Sequence, residues 1–368
     1  MKRPISPQWD PWDAWNSVVS KQHYELTSVE FTVTNLCNLR CEHCAVGETL
    51  LEKEQPFISI DNVLARLDEV ETLQTISLTG GEPVFHPDTV EKAIKPLLTY
   101  AKQQGIYTQL NTNLTLPYHR YEGWIHDVDV VHISYNYRDY RDFYRMAYAK
   151  MERNVSESVA KKTFALMKEN ARKLATEGIF VSAETFLSPF TAPHLLGMHR
   201  DIVEMGCQRH EVHPLYPSDF AKGMALLSLD EYRNAVETLS AQAEIWVLFG
   251  TLPFFPCSDK AADRQLWLHL HRQENITVRQ DPDGRNRLNV NLFTGEVTVT
   301  DFAELPSFGN IQTDKLESIF AHWLAHPQAK RLHCMCPAAK CTGPNVLVAD
   351  SYYPDWDFSS RKANINVC

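Results

Sequence analysis

No stretch of the chain runs to about 18 consecutive apolar residues, so no membrane-spanning helix is expected. The opening residues, Met-Lys-Arg-Pro-Ile-Ser-Pro-Gln-Trp-Asp, contain no apolar segment of the secretory kind, and no signal peptide is expected. An excess of positive charge is missing too. Lysine and arginine number 36 against 46 aspartates and glutamates, a net charge of −10. That argues against a broad nucleic-acid-binding surface and leaves room only for local basic patches. There is no internal repeat, no low-complexity tract and no nucleophile-elbow pattern. Gly80-Gly81 lacks the Lys-Ser that would complete a phosphate-binding loop. The nine cysteines are odd in number and clustered, which excludes a fully paired disulfide framework. Clustered thiols in a long chain without a secretory signal read as metal or cluster ligands in a reducing cytoplasm.

What is present is a globular composition, 44% apolar and 22% charged, over 368 residues. That length suits one large domain and a smaller one. Residues 1–27 form an N-terminal extension whose Trp9, Trp12 and Trp15 are expected to pack on the main domain. Beyond it, short apolar strands are predicted at 28–34, 75–79, 106–111, 129–134, 179–185 and 209–215. Helices are predicted between them at 60–71, 87–104, 117–126, 156–177 and 192–205. Strands alternating with helices predict parallel βαβ units, and right-handed crossovers curl them into a partial (β/α)6 TIM-like barrel over 28–225. Ligand chemistry in such a fold sits at the C-terminal strand ends. Every predicted end carries polar residues: Asn35 and Cys37, Thr79 to Pro83, Asn111 to Asn113, Ser134 to Asn136, Glu184-Thr185, and His213.

Residues 137–155 break the rhythm with an arginine- and tyrosine-rich insertion, readable as a salt-bridged helix or as a lid. Residues 226–284 look helical and connecting. A hairpin at 287–291 and 296–300 around Phe293-Thr294-Gly295, then a helix over 314–325, begins a small C-terminal α+β domain spanning 285–368.

The organising feature is Cys37-Asn-Leu-Arg-Cys41-Glu-His-Cys44, directly after a strand. Soft thiolates select zinc, copper(I) or iron–sulfur clusters. Structural zinc takes four closed ligands, and this loop supplies three. A cluster held by three cysteines keeps one iron open for a ligand.

This C-x3-C-x2-C spacing, with His43 before the last cysteine, resembles that of radical S-adenosylmethionine (SAM) enzymes. Leu78-Thr-Gly-Gly-Glu-Pro83 resembles the strand-end motif by which those enzymes seat the SAM amino group. The resemblance covers about residues 28–216. It implies a [4Fe–4S] cluster on Cys37, Cys41 and Cys44, chelated at its open iron by SAM. It implies reductive cleavage of SAM to a 5′-deoxyadenosyl radical that abstracts hydrogen from a substrate. It also implies SAM contacts from Gly80, Gly81, Glu82, Pro83, Asn111, Asn113, Ser134, Glu184 and His43. An external reductant such as flavodoxin or ferredoxin follows as a partner.

A second group, Cys334-x-Cys336-x4-Cys341, again offers three thiolates. With Gly309-Asn310-Ile311 and Leu316-Glu-Ser-Ile319 before it, it resembles the SPASM/twitch auxiliary-cluster domains of radical SAM enzymes. Those domains usually carry a cysteine near the hairpin, where this chain has Thr300-Asp301. The Cys-x-Cys-x4-Cys run, together with Asp281-Pro-Asp-Gly-Arg-Asn-Arg-Leu-Asn-Val-Asn291, is similar to the YfkAB-type radical SAM proteins. One auxiliary cluster, [4Fe–4S] in type, is implied. Cys257, between Pro253 and Pro256 on one side and the hairpin on the other, is the favoured fourth ligand, with Cys368 as the alternative. Cys207 reads as a buried hydrophobe. His322 and His326, at i and i+4, lack a third ligand.

The expected function is hydrogen abstraction from a peptide or protein, with the auxiliary cluster assisting electron transfer. The alternatives are oxidation or rearrangement of a small molecule, and a cluster-carrying electron-transfer protein that does not turn SAM over.

Overall fold

Short runs of β-branched and aromatic residues, each ended by a polar loop, form the strands. The computed structural model describes residues 5–19, 21, 23–53, 55–280, 283–300, 302, 305–332, 334–363 and 365. Asp281, Pro282, Asp301, His333 and Cys368 lie outside the described residues. Six parallel strands appear where the βα rhythm predicts them: β1 (Ser28–Thr34), β2 (Thr75–Gly80), β3 (Tyr107–Thr112), β4 (Val130–Ser134), β5 (Phe180–Leu187) and β6 (Arg209–Pro214). Successive strands pair in parallel, which leaves their C-terminal ends together at one rim.

The sheet then goes further than predicted. The region 226–284 is not purely helical, for it holds β7 (Trp246–Gly250) and β8 (Ile276–Arg279), which extend the parallel array beyond β6. Their aromatic and β-branched runs suit a pleated surface as well as they suit helix packing. β9 (Arg287–Asn291) pairs in parallel with β1 on its other edge. β10 (Glu296–Thr298) and β11 (Gly309–Asn310) follow antiparallel. The hairpin is thus present around Gly295, whose φ of +75° suits glycine at the turn. One sheet of eleven strands results, in the order β11-β10-β9-β1-β2-β3-β4-β5-β6-β7-β8, and it curls into a partial TIM-like barrel.

The predicted helix 117–126 is instead two 3₁₀ turns, Tyr118–Arg120 and Ile125–Asp127. Gly123 at φ +84° lies between them and breaks the helical path. Helices Ile60–Leu67, Lys95–Gln104, Glu157–Thr176 and Leu195–Glu204 cover the outer face, starting with side-chain caps at Ser59 and Ser156 in the first and third cases. Outward residues such as Val29, Phe31, Val33, Ile76, Leu78, Leu110, Val131 and Val181 are fully buried beneath the helices. At about 25 cal/mol per Å² this apolar layer dominates the stabilisation.

The inner face is polar. Asn111 of β3 donates to Glu30 of β1 and to Ser77 of β2, both at 3.2 Å. The N-terminal extension closes on the same interior, where the Arg279 guanidinium of β8 meets Asp10 at 2.6 Å. Trp12 is buried as expected, whereas Trp9 lies at the surface with its ring edge on Tyr107. No helix of the described residues is long and apolar enough to cross a membrane.

Candidate metal centres and cofactor site

Cys37, Cys41 and Cys44 lie on the loop that leaves β1. The loop is fixed by its backbone, independently of any ligand. Arg40 Nη1 donates to the Cys37 and Leu39 carbonyls, each at 2.9 Å. Arg40 N–H and Glu42 N–H donate to the carbonyls of Ala147 and Met146, at 3.1 and 2.9 Å. On the other side, the Ser218 hydroxyl donates to the Ala45 carbonyl at 3.0 Å. The insertion is therefore a buttress: its helix, Tyr140–Ala147, braces the cysteine loop.

Each of the three sulfurs has a hydrogen-bond partner. Leu39 N–H approaches Cys37 Sγ at 3.4 Å, and Val46 N–H serves Cys44. The Tyr137 hydroxyl lies 3.9 Å from Cys41 Sγ, at sulfur hydrogen-bond range. Burial pushes the Cys37 thiol up to about 12 and the Cys41 and Cys44 thiols up as well. Thiols so placed become good ligands only when a metal replaces their protons. Among the described residues no three donors converge on a single metal ion.

Hydrogen bonds to ligand sulfur stabilise the more negative, reduced state of a cluster. Tyr137→Phe removes one such bond without touching the loop backbone. It is expected to lower the midpoint potential of the catalytic cluster by roughly 40 mV, the equivalent of about 1 kcal/mol for one electron. A redox titration followed by electron paramagnetic resonance checks this. An unchanged potential would refute the hydrogen bond.

Glycine is required at 80 and 81, for a reason the sequence alone does not reveal. A Cβ on Gly80 would lie 2.2 Å from the Thr34 carbonyl oxygen, and one on Gly81 2.2 Å from that of Leu36. Those two carbonyls accept from Gly81 N–H and Glu82 N–H, at 2.8 and 2.7 Å. The β2 end and the cysteine loop thus lie backbone against backbone. The Glu82 side chain is fully buried. It accepts from the Thr112 hydroxyl and Asn113 N–H, both at 2.7 Å, and burial lifts it to about 7. Its role is a brace, and Pro83 is buried beside it.

Asn113 braces too, donating to Asn38 at 2.9 Å with Cys37 Sγ 3.9 Å away. Asn111 and Glu184 face the interior, and Ser134 is exposed at the end of β4. His43 is half-buried against Phe186, ring centres 4.7 Å apart, and desolvation lowers it to about 4. Its Nδ1 is buried without a hydrogen-bond partner. The structure therefore brings the cysteine loop, the β2 end, His43 and the ends of β3 to β5 to one rim.

Missed in the sequence is a charge network in the barrel interior. Glu211 of β6 accepts from Ser182 at 2.8 Å and Arg279 at 2.9 Å, and forms an ion pair with Arg209 at 2.6 Å. His213 stands 3.5 Å from the same carboxylate, and His132 Nδ1 3.6 Å. His132 Nε2 also meets Glu184 at 2.7 Å. Burial works against each charge, but Arg209 and Arg279 hold Glu211 well below its usual range. Burial likewise opposes Glu184, which His132 and His213 bring down to about 2. The alternation Arg209-x-Glu211-x-His213 was the available signal, since it puts three ionisable groups on one strand face.

The second thiol group is also gathered. Cys334 Sγ and Cys336 Sγ are 3.4 Å apart, and Cys336 and Cys341 exchange backbone hydrogen bonds at 2.9 and 3.3 Å. Cys257 lies close enough to Cys336 and Cys341 to interact electrostatically with both, and it is buried. Cationic groups face these sulfurs: Arg285 toward Cys334 and Cys341, Lys362 toward Cys336, and Arg361 toward Cys257. Gln280 Oε1 lies 3.6 Å from Cys341 Sγ. Cys207 stands apart from both groups and is buried, as expected of a hydrophobe.

Comparison with known proteins places this geometry. Residues 31–193 match the radical SAM superfamily, and residues 215–363 match the YfkB-like domain. The protein YfkA of Bacillus subtilis (strain 168) is 49% identical over 364 residues, covering 98% of this chain and 98% of that one. The fold is shared with SuiB of Streptococcus suis, solved with the precursor peptide SuiA. That likeness has a TM-score of 0.61 at 11% identity and covers 94% of this chain and 78% of SuiB. It is shared also with anSMEcpe, solved with AdoMet and the Cp18Cys peptide, at a TM-score of 0.57 and 15% identity, over 90% and 95% of the two chains. The chain belongs to the radical SAM superfamily, within the YfkA-type family that carries a C-terminal YfkB-like domain. Its cofactors are those of that superfamily, a [4Fe–4S] cluster and SAM.

Proposed function

We propose that this radical SAM enzyme modifies a peptide or protein, with Cys257, Cys334, Cys336 and Cys341 holding an auxiliary [4Fe–4S] cluster that exchanges an electron with the substrate. Four buried thiols with facing cations, in a chain that also carries the SAM-binding loop, are the observation that carries the reading. When bound, the catalytic cluster supplies the electron that cleaves SAM to a 5′-deoxyadenosyl radical. The chain's own residues hold the SAM-binding loop rigid, close the barrel floor with Asp10 and Arg279, and keep water from the interior.

Orphaned donors support a cluster over a zinc ion at the second site. Gln280 Nε2 and Arg285 Nη1 are buried and have no hydrogen-bond partner. Ligand thiolates would accept from these donors at either kind of site, but only a cluster adds sulfides as further acceptors. The peptide assignment is supported by fold likeness to two enzymes solved with peptides bound.

The test is anaerobic reconstitution, then incubation with SAM, reductant and extracts of peptides and metabolites, with untargeted product analysis. A modified peptide with matching 5′-deoxyadenosine supports the proposal. A modified metabolite would overturn the peptide part, and absence of 5′-deoxyadenosine would overturn turnover itself. Cys257→Ala is expected to lower bound iron from about eight to about four per chain, while SAM cleavage persists. Full iron together with an unchanged electron paramagnetic resonance signal of the auxiliary cluster would remove Cys257 from the ligand set.

A further inference from the structure

The cysteine loop is buttressed by a surface whose charge runs against that of the chain. Residues 138–162 carry Arg138, Arg141, Arg145, Lys150, Arg153, Lys161 and Lys162 against Asp139, Asp142, Glu152 and Glu157, in a chain of net charge −10. Asp142 is buried, so it adds little to the surface acid. Arg141 and Arg145 are well exposed, with side chains 71% and 62% accessible. Arg138 is paired with Asp139 and Asp142, and Arg141 lies 3.9 Å from Glu157. Lys150, Arg153, Lys161 and Lys162 take part in no ion pair among the described residues.

The same segments also expose apolar side chains. Among the described residues only four large hydrophobic side chains are exposed, and two of them are here: Tyr144 on helix Tyr140–Ala147 and Val159 in the first turn of helix Glu157–Thr176. Exposed apolar groups within a charged rim are the usual anatomy of a protein-binding site. Position gives the patch its meaning. Lys150 N–H donates to the Arg40 carbonyl at 3.0 Å, and Glu42 N–H donates to the Met146 carbonyl at 2.9 Å. Arg40 and Glu42 flank the cluster ligand Cys41. A protein seated on this surface would stand directly behind the catalytic cluster.

We propose that helix Tyr140–Ala147, the segment 148–156 and the first turn of helix Glu157–Thr176 form the docking surface for an acidic one-electron carrier protein. The carrier gives up one electron and the catalytic cluster gains it, so the step balances without another reactant. The proposal rests on the catalytic cluster and not on the peptide substrate or the second thiol site. Charge complementarity of this kind acts chiefly on encounter and is weakened by salt.

The experiment uses the full-length reconstituted protein and a purified acidic flavodoxin. Binding is measured by calorimetry with the oxidised carrier, and cluster reduction is followed by electron paramagnetic resonance with the reduced carrier or with dithionite. The variant Arg141→Glu/Arg145→Glu/Lys150→Glu is expected to weaken carrier binding and carrier-driven reduction by about tenfold or more, and to leave dithionite reduction within about twofold. Raising salt should weaken wild-type binding and have little effect on the variant. Unchanged carrier binding in the variant would overturn the proposal. If dithionite reduction falls as well, the cysteine loop has been disturbed, and the pair Lys161→Glu/Lys162→Glu decides, since it lies off the loop. Carrier binding unaffected by that pair overturns the proposal, and weakened binding with normal dithionite reduction supports it.

Discussion

Replacing Cys41 by alanine is expected to abolish 5′-deoxyadenosine formation and to cut bound iron from about eight to about four per chain. The loop supplies only three thiolates, and among the described residues Cys257, Cys334, Cys336 and Cys341 are gathered at the second site and Cys207 stands apart, so none of them can substitute. The loop itself should keep its shape. Arg40 and Glu42 are tied through main-chain groups to Ala147 and Met146, and Arg40 caps the Cys37 carbonyl. Circular dichroism and the unfolding midpoint should therefore change little, which separates loss of ligand from loss of fold. Retention of all the iron would mean that the cluster is held elsewhere.

Glu211→Ala should be the most destabilising substitution in the barrel interior. The carboxylate is 1% exposed and is shared by two guanidiniums, of which Arg209 is fully buried. Removing it leaves Arg209 charged and uncompensated, at a cost of about 3–5 kcal/mol. Arg279 would keep Asp10. Denaturant titration measures the loss, and a change under about 1 kcal/mol would show that the network is dispensable.

The same residues set the acid limit of the fold. Glu211 and Glu184 have folded values depressed below those of the unfolded chain. Their contribution is complete above the ordinary glutamate value of about 4.3 and is lost as pH falls through the folded values. For Glu184 that window reaches down to about 2. His132 has the opposite sign, because burial opposes its charge but Glu211 and Glu184 raise it. Its contribution is complete below about 6.5 and fades as pH climbs through the raised value. Glu211→Ala should flatten both limbs of the stability profile.

The barrel was legible because hydrophobic runs alternate between strand and helix lengths, and because the polar strand ends agree with one another. β7 and β8 escaped because Trp246 to Gly250 and Ile276 to Arg279 read equally well as helix packing. The cysteines were legible from spacing. The glycines at 80 and 81 were legible as positions but not as causes, since what forbids a side chain there is the carbonyl row of another strand's loop. The interior network was hidden for a different reason. Arg279 and Asp10 are 269 residues apart, and no local pattern reports a pair of that separation. Tyr137 was hidden likewise, 96 residues from the sulfur it serves.

The pairing of β9 with β1 has a consequence for how the polypeptide can be divided. A cut near residue 284 would strip β1 of a parallel neighbour along Ser28 to Thr32 and leave a row of bare amides and carbonyls. A cut between β6 and β7 would open a second such row along Arg209 to Val212. Bare strand edges of this length are templates for aggregation. The two halves should therefore precipitate when produced singly and be recovered in soluble form only when produced together, each acting as the other's missing strand.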